Sequence, residues 1–203
     1  MTKSLLLVHG AGSGPWIFDG WQESFSAIDV VTVDLQEDLD VGRASMDDYR
    51  DQVVAACKKT GKPVGLCGWS MGGLVALMAA ETIDCSAVIL MEPSPPGEVQ
   101  GFVPDAPLEE GTFNPEVVYG AFPEGVACRP ESSLARGERK RGISVPLLRC
   151  PVLVISGDEF REERGTPVAA LYGAEHEYFA GLDHWDLVRS AEVQEKIATF
   201  LQR

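Results

Sequence analysis

Five consecutive residues, Gly68, Trp69, Ser70, Met71 and Gly72, constrain this chain more than any other feature, because glycine stands two positions either side of a serine. An apolar stretch, residues 63–67, leads into them, and a small-residue stretch of helical composition, residues 73–81, follows. A strand that turns abruptly into a helix needs that spacing, since a side chain at either glycine blocks the close approach of the two elements. The serine at the bend is then held in a strained backbone conformation at the carboxyl end of the strand. The amide of Met71 and the start of the helix face the same space. A serine so placed can attack a carbonyl.

The rest of the chain reads as the scaffold such a bend requires. Apolar runs bounded by turn residues predict strands near 4–8, 30–35, 63–67, 86–91, 151–156 and 174–179. Between them lie helical spacings: Met46, Tyr49, Val53, Val54 and Cys57 recur at three and four residues, as do Val193, Ile197, Phe200 and Leu201. Ser45 before Asp47 and Asp48 supplies an N-cap and first-turn carboxylates. Strands alternating with helices, most of them continuously apolar, imply an α/β fold: about six strands in a mostly parallel sheet, with helices on both faces. A length of 203 residues, 45% hydrophobic and 24% charged, suits a single domain over residues 1–203.

One segment breaks the alternation. Nine of the thirteen prolines fall within residues 93–149, where few apolar periods are sustained. That composition predicts an irregular excursion within the domain, leaving and rejoining the sheet at strand tips, where open α/β sheets place their ligands. A lid over the site is the reading, with short helices near 115–121 and 131–140.

Charge and cysteine content narrow the partners. A net charge of −14 repels phosphate backbones and anionic lipid, so neither nucleic acid nor a membrane surface is expected as a partner. No apolar run approaches the roughly 20 residues of a membrane span, and residues 5–8 are too short for a secretory core, so a cytoplasmic location is expected, as monomer or homodimer. The five cysteines are odd in number and widely spaced, which reads as reduced thiols.

A serine hydroxyl needs a general base, and the chain has three histidines. His9 lies in the turn after the first strand, and His176 lies inside the sixth as a sheet-surface or edge residue. His184 follows the sixth strand, in a turn that reaches the same rim as Ser70, and is the base by position and type. Asp183 and Asp186 flank it in sequence and are expected to raise its pKa. The glycine-rich turn His9 to Gly14 can aim the amide of Ala11, with that of Met71, at a developing oxyanion. It lacks the Gly-Lys-Ser/Thr ending of a phosphate loop. Trp16, Trp69 and Trp185, with the lid aromatics Phe102, Phe113, Tyr119 and Phe122, are candidates to line an apolar substrate pocket. Arg136, Arg139, Lys140 and Arg141 form the one basic cluster; turned inward it would favour a carboxylate-bearing substrate, but a solvated turn is the expectation.

Five segments in order carry a family resemblance: Leu7 to Gly12 with Trp16 beyond, Gly68 to Val75, Pro93 to Pro96, Pro151 to Gly157, and His184-Trp185. Together they resemble the α/β-hydrolase superfamily, and within it the small lysophospholipase-like and methylesterase-like serine hydrolases. The resemblance spans nearly the whole chain. Two departures from the family pattern are expected: a fold that begins at the family's third strand, without the leading hairpin, and a short, proline-rich lid. The resemblance implies a third triad member three residues after Gly157, but Phe160 stands there and cannot serve. Asp158, with Glu159 beside it, is one candidate acid. Glu92 is the other, at the tip of the preceding strand, where haloalkane dehalogenases of the superfamily carry theirs. An ionised group directly after four apolar strand residues is costly unless paired, which argues for a functional Glu92.

The function these residues point to is hydrolysis of a small carboxylic ester through an acyl-enzyme on Ser70, with no metal or organic cofactor. Carbon-carbon bond hydrolysis or cyanohydrin cleavage on the same fold, and a non-catalytic ligand receptor, are the competing readings.

Overall fold

The computed structural model describes residues 2–203. The chain runs β1 (Ser4–Val8), α1 (Trp21–Ser24), β2 (Asp29–Val33), α2 (Met46–Lys59), β3 (Val64–Trp69), α3 (Met71–Thr82) and β4 (Ala87–Met91). It continues through α4 (Gly97–Gln100), β5 (Thr112–Phe113), α5 (Pro115–Tyr119), β6 (Glu131–Ser132) and α6 (Ser133–Arg141). β7 (Val152–Ser156), α7 (Thr166–Tyr172), β8 (Glu175–Tyr178), α8 (Asp186–Arg189) and α9 (Ala191–Leu201) complete it.

Six strands form one sheet in the order β2-β1-β3-β4-β7-β8, and every neighbouring pair is parallel. The chain steps from β1 outward to β2, then crosses back past β1 to β3. That reversal opens a crevice at the carboxyl ends of β1 and β3, the position where open α/β sheets bind ligands. The register sets Val8 of β1 opposite Gly68 of β3, and Trp69 opposite Met91 of β4. The tips of these three strands therefore emerge together.

The apolar strands are continuous because both faces of the sheet are covered. Alternate residues divide cleanly. Leu6, Val8, Leu66, Val88, Leu90 and Val154 pack with the apolar faces of α2, α3 and α7. Leu5, Leu7, Cys67, Ile89, Leu153 and Ile155 pack with α1, α8 and α9. α3 is buried from Met71 to Ala79, and its small residues let it lie close on the sheet. α2 opens with a reciprocal cap: the Ser45 hydroxyl accepts the Asp48 amide, and the Asp48 carboxylate accepts the Ser45 amide at 2.8 Å.

Residues 93–149 hold the two short helices expected there, α5 and α6. They also hold α4 and the two-stranded antiparallel ribbon β5-β6. The excursion has buried anchors of its own in Glu131, Ser132, Ala135 and Val145. Cys57, Cys67 and Cys85 are buried, whereas Cys128 and Cys150 are partly exposed, and the sulfurs of Cys85 and Cys150 lie 3.3 Å apart. Among the described residues no helix is long and apolar enough to cross a membrane.

Candidate active site

Ser70 joins β3 to α3 with φ 56° and ψ −123°, a conformation that costs a non-glycine residue about 1–3 kcal/mol. Packing explains why the chain accepts it. A side chain on Gly68 would lie 2.3 Å from the carbonyl oxygen of Gly72, and one on Gly72 would lie 2.2 Å from that of Val8. Only glycines let the bend close against β1. The Ser70 amide donates to Met91 at 3.0 Å, and its carbonyl accepts the amides of Ser94 at 2.8 Å and Gly73 at 3.0 Å. β4, the segment after it and α3 thus fix the serine backbone while its side chain faces a cavity of about 470 Å³.

His184 lies on the wall of the same cavity. Its Nδ1 lies 2.7 Å from Oε2 of Glu92, whose side chain is fully buried at the tip of β4. The other carboxylate oxygen of Glu92 accepts the amides of Gly157 at 2.9 Å and Phe160 at 3.4 Å. Glu92 has φ 39°, the second strained residue at this rim. A carboxylate only accepts, so Nδ1 carries the proton and Nε2 is left as the basic nitrogen. Trp69 holds the histidine from the other side: its indole N–H donates to the His184 carbonyl at 2.9 Å, and the two rings stack with centroids 4.7 Å apart. Phe160 meets the same imidazole edge-on at 5.2 Å.

The structure brings Glu92 to His184 and keeps Asp158 away. Asp158 is exposed and accepts from the Tyr178 hydroxyl at 2.5 Å and the Gly181 amide at 3.0 Å, bracing the loop that carries His184. Phe160 occupies the place an acid three residues beyond Gly157 would fill, and contributes a ring and an amide instead. Asp183 accepts the amides of Trp185 and Asp186, both at 2.8 Å, so it caps the turn behind the histidine.

Ala11 borders the cavity with Ser70, and no backbone carbonyl of the described residues accepts the amides of Ala11 or Met71. The turn that presents Ala11 is clamped from the excursion, a feature the sequence reading missed. Glu131, fully buried, accepts the Gly12 amide at 3.0 Å, the Ser132 amide at 2.9 Å and the Tyr49 hydroxyl. Burial, with the charge of Glu131, pushes the Tyr49 phenol up, so it stays a donor. Arg129 donates its amide to Gly12 at 2.9 Å and its Nε to Ser13 at 2.9 Å, and it pairs with Asp34. His9 is wholly buried beneath: its Nε2 accepts the Leu35 amide at 3.1 Å, which makes it a structural group.

Of the three tryptophans expected to line the pocket, Trp69 and Trp185 do so. Trp16 does not. It packs over Gly14 and under Arg129, and faces an adjoining cavity of about 410 Å³ shared with Asp19, Val126 and Arg189. Trp185 stands between the two cavities. Tyr119 and Phe122 from the excursion complete the aromatic wall of the Ser70 cavity, while Phe102 is more than half exposed. Arg139 also reaches this wall, against the expectation of a solvated basic turn, because α6 packs with Ala135 and Gly137 inward. Among the described residues no cluster of His, Cys, Asp and Glu has the proximity to hold a metal ion.

This parallel sheet, with a serine on a strained strand-to-helix bend and a histidine-carboxylate pair at the same rim, defines the α/β-hydrolase class. A sequence model of the alpha/beta hydrolase family matches residues 5–196, and the chain belongs to that family. No curated protein matches the chain by sequence. Among solved structures it is similar to polyneuridine aldehyde esterase (TM-score 0.68, 17% identity, covering 100% of both chains). It is also similar to a carboxylesterase of the thaumarchaeon Nitrososphaera gargenis (TM-score 0.73, 17% identity, 99% of this chain and 90% of that one). A third is the RedJ thioesterase of prodiginine biosynthesis in Streptomyces coelicolor (TM-score 0.68, 17% identity, 97% and 89%). At these identities the likeness is one of fold.

Proposed function

We propose that the protein is a serine hydrolase that cleaves a small carboxylic ester through an acyl-enzyme on Ser70. The observation that carries this reading is the Glu92–His184 pair at 2.7 Å, whose histidine lines one cavity with a serine on a strained bend. Ser70 Oγ attacks the ester carbonyl carbon while its proton passes to Nε2 of His184. Glu92 stabilises the imidazolium and holds the tautomer. The amides of Ala11 and Met71 receive the oxyanion. Collapse of the tetrahedral intermediate expels the alcohol, which takes the proton from His184. Water then attacks the acyl-enzyme by the same route, returning Ser70 and releasing the acid. Solved structures of similar fold include esterases and thioesterases, which supports acyl transfer over the lyase and receptor readings.

The test is turnover of p-nitrophenyl and methyl esters of graded chain length, with matched thioesters, by the native protein and by Ser70→Ala. Turnover confined to the native protein is expected. No turnover of any acyl substrate, or equal turnover by Ser70→Ala, overturns the proposal.

A further inference from the structure

Two arginines stand on the wall of the Ser70 cavity. Arg139 arrives from α6 on the serine side. Its Nη1 is 3.5 Å from the hydroxyl of Ser94, whose amide is bonded to the Ser70 carbonyl, and its Nη2 is 3.3 Å from the Tyr119 hydroxyl. Its Nε is buried with no partner. Arg164 arrives from the turn Arg161–Gly165 on the histidine side, its guanidinium carbon 3.7 Å from the centroid of Phe160, the ring that abuts His184.

Neither guanidinium forms an ion pair with a carboxylate among the described residues. The arginine ion pairs among the described residues belong to Arg43, Arg50, Arg129, Arg161 and Arg203. The Glu92 carboxylate is committed to His184, Gly157 and Phe160, and the exposed Glu159, on the same wall, bonds to neither arginine. Burial lowers the pKa of Arg164, and the charge of Arg139 lowers it further, against the carboxylates of Glu92, Glu163 and Glu159. Holding two like charges on one partly buried wall is unfavourable without an anion between them. In a chain of net charge −14, their convergence here is not a by-product of composition.

We propose that the cavity selects an ester carrying a second, anionic group, a carboxylate or phosphate, received by Arg139 and Arg164 while the ester carbonyl lies at Ser70. Guanidinium groups suit such oxyanions because their paired N–H donors match the oxygens of either group. The assignment rests on the hydrolase reading for the ester half of the substrate, and on the arginines for the anionic half.

The experiment compares kcat/KM for mono-p-nitrophenyl succinate with that for the neutral p-nitrophenyl pentanoate. The native protein is expected to favour the anionic ester by about tenfold or more, the size of a charge-assisted hydrogen bond. Arg139→Gln and Arg164→Gln should each lower that ratio about tenfold, whereas Lys140→Gln, on the exposed side of α6, should leave it unchanged. Because the ratio is taken within one preparation, loss of folded protein cancels. A ratio near one in the native protein, or a ratio that survives both arginine substitutions, overturns the proposal. Binding supplies a readout that needs no turnover: glutarate and inorganic phosphate titrated against the fluorescence of Trp69 and Trp185. Saturable binding weakened by either arginine substitution supports the site, and the tighter ligand names the oxyanion. Binding of neither, or binding indifferent to both substitutions, overturns it. Absence of turnover with this binding intact overturns the hydrolase reading alone.

Discussion

Replacing Glu92 with glutamine isolates the charge behind His184 with little change in shape. Glutamine keeps a carbonyl oxygen that can go on accepting from the Gly157 and Phe160 amides, and the positive φ of residue 92 is unaltered. What is lost is the negative oxygen 2.7 Å from Nδ1, replaced by an amide that donates and so favours the wrong imidazole tautomer. In the Ser-His-Asp triad of serine proteases the equivalent change costs about 10⁴-fold in kcat. The loss of one charge-assisted hydrogen bond in a buried site destabilises by about 1.5–3 kcal/mol, which lowers Tm by roughly 2–4 °C per kcal/mol in a chain of this size. Steady-state kinetics on the preferred ester and a thermal melt separate the two effects: kcat falls by three to four orders of magnitude, by analogy with the triad case, while the protein stays folded at assay temperature. Asp158→Asn, which touches only Tyr178 and Gly181, lowers kcat by less than about threefold, within the range of a surface change. Near-native activity of Glu92→Gln, or collapse of activity in Asp158→Asn, refutes the reasoning.

Other expectations come from the supports of the site. Glu131→Gln replaces a buried acceptor of three donors with a group that accepts fewer, so stability falls by about 1–3 kcal/mol and kcat falls as the Ala11 turn loosens; denaturant melts and kinetics check both. Gly72→Ala sets a methyl 2.2 Å from backbone oxygen, which costs about 1–3 kcal/mol or more and shows as a lowered melting midpoint in urea. His176, on β8 with its ring bonded to Ser156 Oγ at 2.8 Å, has its pKa lowered by burial and then by Arg161. The unfolded chain therefore takes up this proton first as pH falls through about 6.5, and the native state loses stability until its own lower pKa is reached. His176→Gln should make Tm vary less with pH as pH falls below about 6.5.

The legible parts of this molecule are those where one physical demand dominates. β1, β3, β4 and β7 read as unbroken apolar runs because each is covered on both faces, and the bend at Ser70 shows in its glycines because backbone atoms approach within reach of any side chain there. Glu92 was discernible for a related reason, since a carboxylate at the end of Val88 to Met91 has to be paired. The excursion was harder. Glu131 stands before a run of small and charged residues, and nothing local marks it as a wholly buried acceptor for Gly12, 119 positions away. Arg139 belongs to a basic run whose composition suits a solvated helix end, and only the packing of α6 turns it inward. Arg164 lies on an irregular turn with no period from which to infer its direction. Trp16 follows the glycine-rich turn closely enough to suggest the Ser70 cavity, but it packs over Gly14 and faces the neighbouring one.

The central claim is that Ser70 becomes acylated. Intact-protein mass spectrometry after rapid mixing with an activated p-nitrophenyl ester, followed by peptide mapping, tests it directly. One acyl group on the peptide containing Ser70, absent from Ser70→Ala and formed far more slowly in His184→Ala, is the predicted result; turnover with the acyl group on another residue, or unchanged turnover by Ser70→Ala, contradicts it.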